Sequence, residues 1–96
     1  MYDFNQKAAK LVVNYAVEVQ PGEKVFISGA QVANDLFKAI AIEVIQAGGH
    51  PLCMAGIPGV STAVYRYGND DQIKFISPAI KTIYNEYDVF INIMSA

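Results

Sequence analysis

Apolar and polar positions change period several times along this chain, and each change marks an element. Phe4, Ala8, Leu11, Val12, Tyr15, Ala16 and Val19 recur at helical spacing, predicting a first helix that buries this face. Asp3 and Gln6 fit a capping box at its start, and Pro21-Gly22 ends it. Glu23 to Ser28 then reads as a short strand whose consecutive Val25, Phe26 and Ile27 suit burial on both faces of a parallel sheet. Gly29-Ala30 turns the chain into a second helix, Gln31 to Ala47, closed by Gly48-Gly49 because glycine adopts the left-handed conformation a helix end needs. Pro51 to Ala55 is the second strand.

The second half alternates in the same way. After a turn at Gly56 to Gly59, Val60 to Tyr67 fits a short helix carrying Tyr65 and Tyr67. Asn69 caps another, with Asp70 and Asp71 in its first turn and Gln72 three residues after the cap. Ser77-Pro78 starts one more, since serine is a good cap and proline fits the first helical position. Ile80, Ile83, Tyr84 and Tyr87 form its buried stripe, although the tyrosines could also line a groove with Tyr65 and Tyr67. The third strand is Val89 to Met94, in which Asn92 fits either a buried polar network or an exposed edge. Strands joined by helices imply right-handed crossovers. The expectation is an α/β domain, three-layer α/β/α with a short parallel sheet of about three strands, an incomplete doubly wound domain that stops directly after a strand.

Ninety-six residues bound this to one small domain, which at this size buries about two-thirds of its unfolded surface. An apolar content of 53% is high for that size, so some apolar surface should seek a partner or another domain. A net charge of −2 with seven scattered Lys and Arg residues gives no nucleic-acid footprint. The polar start MYDFNQKAAK lacks a signal-peptide pattern, and the most apolar run, Ala39 to Ile45, is broken by Glu43 and far too short for a bilayer, so a cytoplasmic protein without membrane contact is expected. Cys53 is alone and reads as a buried strand thiol.

In an open α/β sheet the ligand crevice lies beyond the carboxyl ends of the strands. Here those ends supply Ser28, Gly29, Pro58, Gly59 and Ser95 as candidate lining, small or weakly polar residues that allow close approach but offer no acid, base or nucleophile pair. The loop after the first strand lacks the glycine pattern of a dinucleotide site and the Gly-Lys-Ser/Thr ending of a phosphate loop. His50 falls at the opposite end of the sheet, Asp70-Asp71 reads as helix first-turn charge, and no His/Glu/Asp set has metal-ligand spacing. On the second helix Gln31, Asn34, Asp35, Lys38 and Gln46 form a polar stripe bordered by Glu43, with Ile42 in its middle as a candidate contact for a second subunit or an absent domain.

Three segments in order, NYAVEVQPGEKVFISGA from Asn14, AGGHPLCMAGIPG from Ala47 and NDDQIKFISPAIKTIYNEYDVFINI from Asn69, resemble the amino-terminal domain of the aminopeptidase T family, which includes aminopeptidase S and the thermophilic leucyl aminopeptidases. The resemblance implies a parent enzyme in which two divalent ions, zinc, cobalt or similar, activate water and polarise the carbonyl next to a free amino terminus of a peptide. In that family the metal ligands lie downstream of this region, so no catalytic, cofactor-binding or metal residue carries over to these positions. The expected partners are a carboxy-terminal catalytic domain and a second subunit of a homo-oligomer, and this chain alone is expected to be inactive. The competing reading is a stand-alone α/β interaction or small-molecule-binding module, since a shared fold does not fix function. Whether the reading frame continues past Ala96 into a region rich in Glu, His, Tyr and Asp separates the two.

Overall fold

The apolar run Val25-Phe26-Ile27 becomes the centre of the molecule because it has apolar neighbours on both sides. In the computed structural model, which describes residues 2–30 and 34–93, this run lies in β1 (Lys24–Ala30). β2 (His50–Gly56) and β3 (Val89–Ile93) pair with it in parallel, giving the order β2-β1-β3. α1 (Tyr2–Leu11), extended by a π-helical turn at Val12–Ala16, precedes β1, and α2 (Asn34–Gln46) joins β1 to β2. α3 (Val60–Tyr67), α4 (Asp70–Lys74) and α5 (Pro78–Glu86) form the crossover from β2 to β3. The protein is α/β with a short parallel sheet of three strands, as the pattern predicts.

Register divides the sheet into two unlike faces. Val25 and Ile27 align with Val89 and Ile91, so their side chains share one face, onto which α2 lays Phe37, Ile40 and Val44 and α1 with its π turn lays Ala9 and Val13. Ile27, Ile40, Val13, Val25 and Val44 are fully buried there. Phe26 and Phe90 occupy the other face, meeting edge to face at 6.4 Å, with Tyr87 edge-on to Phe26 at 6.2 Å and Tyr84 stacked on Phe90 at 5.2 Å. These rings seat α5 over the β1–β3 half, while Leu52 and Met54 on β2 stay exposed. The radius of gyration is 15.1 Å, against about 12.5 Å for a compact chain of this length. α3 and α4 pack on each other and bury no residue of their own.

Local signals set the joints. Gly48, at φ +88°, closes α2 in a Schellman turn, its N–H bonding Ile45 O at 3.0 Å while Gly49 N–H bonds Val44 O at 2.9 Å. Asn69 and Gln72 form the expected capping box, with Gln72 N–H donating to Asn69 Oδ1 at 2.9 Å and Asn69 N–H donating to Gln72 Oε1 at 3.0 Å. Ser77 Oγ accepts from Ala79 N–H at 3.2 Å and Pro78 opens α5. Asp88 fixes β3 against β1 by accepting from Lys24 N–H and donating its own N–H to Lys24 O, both at 2.9 Å.

Four expectations are corrected. Asp3 lies inside α1, not at its cap. The face expected to be buried is largely the outer one: Phe4, Leu11 and Tyr15 are 69%, 61% and 75% exposed, and Ala16 is also exposed, whereas Ala9 and Val13 are fully buried. The helix carries two apolar stripes, and the slimmer one of Ala9, Val12 and Val13 joins the core where the helix packs on α2, with Val13 of the π turn buried. Tyr84 is 66% exposed, although its ring stacks on Phe90; Tyr87 is half-buried. Cys53 is exposed, since β2 is an edge strand that α2 covers incompletely.

Candidate functional site

Because all three strands are parallel, their carboxyl ends gather at one edge. Ser28 stands level with Met54 and Asn92, and Gly29 with Ala55 and Ile93, so the first two expected crevice residues do sit at the strand ends, half-buried. Gly29 has φ +157°, and a Cβ there would overlap the Ile93 carbonyl, so only glycine lets β1 and β3 close up at this level. Pro58 and Gly59 lie exposed in the turn from β2 to α3, with Gly59 at φ +88° as the residue before the helix. Ser95 lies outside the described residues, as does Gln31 of the α2 stripe.

This edge positions backbone and small side chains, with no imidazole, amine or carboxylate among Ser28, Gly29, Pro58 and Gly59. His50 is exposed at the amino end of β2, the far side of the sheet, as expected. Asp70 and Asp71 are in the first turn of α4, where they favour the helix dipole. Partial burial pushes the Cys53 thiol above its ordinary pKa, which lowers its thiolate fraction and its reactivity. Asn92 lies on the exposed side of the β3 edge strand. Among the described residues no group of three or more His, Cys, Asp and Glu side chains could hold a metal ion.

Concavity is found elsewhere. A groove of about 500 Å³ runs between α1 and α2, lined by Asn5 and Gln6 on one side and by Asp35, Lys38, Ala39, Ile42 and Glu43 on the other. Ile42 is 43% exposed, where its place in the polar stripe puts it. The α2 wall was visible in that stripe; the α1 wall was not, because Asn5 and Gln6 flank the helix face assigned to the core. A second hollow of about 370 Å³ lies between α3 and α4, lined by Val60, Val64, Tyr67 and Gln72 among others. Tyr67 and Tyr65 are both exposed.

A parallel α/β unit with its crevice edge built from small residues belongs to the open-sheet class, whose chemistry is set by what is added around the strand ends. Residues 3–96 match the model of the thermophilic metalloprotease (M29) family, and the chain belongs to that family. No curated protein matches the sequence. Family membership implies a metallopeptidase that uses a divalent metal; the residues described here do not fit such an ion, because no ligand set converges anywhere among them. No helix among the described residues is long and apolar enough to cross a membrane.

Proposed function

We propose that this chain is the amino-terminal, non-catalytic α/β part of a metal-dependent aminopeptidase that releases amino-terminal residues from peptides. The observation that carries this reading is the conjunction of a family match over residues 3–96 with described residues that bring no metal-ligating set together. The strand-end edge around Ser28, Gly29, Pro58 and Gly59 then serves as a wall: its small residues admit another domain or a peptide closely, while a carboxy-terminal catalytic part carries the ions. A cytoplasmic location goes with this reading.

The test is turnover by the 96-residue chain in the presence of cobalt or zinc, using a leucyl-amide reporter. The expected result is no hydrolysis above a blank containing metal alone. Metal-dependent turnover that copurifies with the folded chain would contradict the proposal and locate an active site within these residues.

A further inference from the structure

The groove between α1 and α2 carries charges of both signs that the fold does not use. Ala39, small and half-buried, lies between Lys38 and Glu43 in its lining, and Ile42 stands exposed beside it. Among the described residues Lys38 and Asp35 make no ion pair or hydrogen bond, and Glu43 receives only a long bond from Asn14 Nδ2 at 3.4 Å. Asn5 and Gln6, both half-buried, bring side-chain amides from α1. At about 500 Å³ the groove falls within the roughly 300–1,000 Å³ of small-molecule sites. Its lining is mixed in character, with one cation, two carboxylates, two amides and an apolar strip of Ala39 and Ile42.

We propose that this groove binds a small zwitterion, a free α-amino acid with an apolar side chain. Five residues apart on one helix, Lys38 and Glu43 have Cα atoms about 9 Å apart. That matches the span of an α-amino acid with a charge-assisted hydrogen bond of about 2.8 Å at each end. Both side chains lean toward the helix amino terminus and lack a strong partner, so both can turn onto a ligand lying over Ala39. Glu43 then accepts from the ligand's ammonium, and Lys38 donates to its carboxylate. The amides of Asn5 and Gln6 supply further donors, and Ile42 gives the ligand's side chain an apolar wall. A bare cation meets Lys38, and a bare anion meets Asp35 and Glu43; such like-charge contacts are costly. The zwitterion satisfies both signs at once, and a multiply charged anion such as a phosphate ester is repelled. This inference stands on the groove alone and is independent of the enzymatic reading. A ligand of about nine non-hydrogen atoms in an open groove should have a dissociation constant of about 1 mM.

Two-dimensional amide NMR of the 96-residue chain, titrated with leucine to about 10 mM, tests this. Saturable shifts should centre on Asn5, Lys38, Ala39 and Glu43. Two analogues remove one charge each: 4-methylpentanoate lacks the ammonium and 3-methylbutylamine lacks the carboxylate. Each should bind at least about fivefold more weakly than leucine. Lys38→Met and Glu43→Gln should weaken leucine by a similar factor, and where either variant fails to fold the two analogues carry the test on the wild type. Dileucine, with its charges farther apart, should also bind more weakly. Absence of saturable shifts, shifts centred away from the groove, analogues or folded variants that bind as well as leucine does to the wild type, or tighter binding of dileucine each overturn the proposal.

Discussion

Gly29 shows how much a single residue decides at the strand ends. Its missing side chain lets β1 lie against the Ile93 carbonyl, whereas a Cβ on the nearby Gly56 would meet Gly29 O at 3.8 Å, an ordinary contact. Gly29→Ala should therefore cost more than about 1 kcal/mol through its positive φ and the overlap. Gly56→Ala should change stability by less than about 0.5 kcal/mol. Urea denaturation of the two variants checks this, and equal effects would mean that the close approach of β1 to β3 does not hold the edge. The identity of Gly29 as a strand-end residue was legible from the sequence because it comes two residues after the end of the apolar run Val25-Phe26-Ile27. Its contact with Ile93 was not, since pairing partners 64 residues apart leave no local trace.

At the scale of elements, what was legible divides by range. The capping box of Asn69 and Gln72 and the Ser77-Pro78 start of α5 depend on residues within three positions, and both form as read. The orientation of α1 depends on what lies across from it. Periodicity reports that an apolar stripe exists, and this helix has two, so the bulkier was assigned inward although the slimmer joins the core. The structure predicts opposite outcomes for two neighbouring substitutions. Val13→Lys places an unpaired charge in the core and should unfold the chain, because that cost of several kcal/mol rivals the whole stability of a small domain. Leu11→Lys, on the outer stripe, should stay within about 0.5 kcal/mol of wild type. Thermal melts followed by circular dichroism distinguish the two, and the reverse order would restore the first assignment. α4 offers a second contrast, because it has a strong cap but no buried residue. Asn69→Ala should lower amide protection within α4 by about 1 kcal/mol. Since local opening is uncoupled from the core where few contacts join them, hydrogen exchange of β1 should not change. Matched losses in β1 would show that the α3–α4 segment is part of the cooperative core.

The whole molecule is a parallel sheet covered well on one face and sparingly on the other. Val25 and Ile27 are fully buried in the core with α2, whereas on the second face Leu52, Met54 and Phe90 are exposed. The fold class was readable because alternation of strands and helices leaves few topologies; the uneven coverage was not, because it depends on where α3 and α4 pack. The candidate crevice was legible as a location, through the rule that ligands gather at strand carboxyl ends, but residues such as Ser28 and Gly29 disclose no chemistry. Family membership supplies the metallopeptidase context, and the central proposal is that the metal-binding half of that chemistry lies outside the described residues, which bring no ligand set together. Isothermal titration of the folded 96-residue protein with zinc and cobalt, repeated on the His50→Ala/Cys53→Ser variant, tests that claim most directly. The account predicts no saturable one-to-one or two-to-one site in either protein beyond weak binding that the double substitution removes. Micromolar, stoichiometric binding that survives the substitution would contradict it.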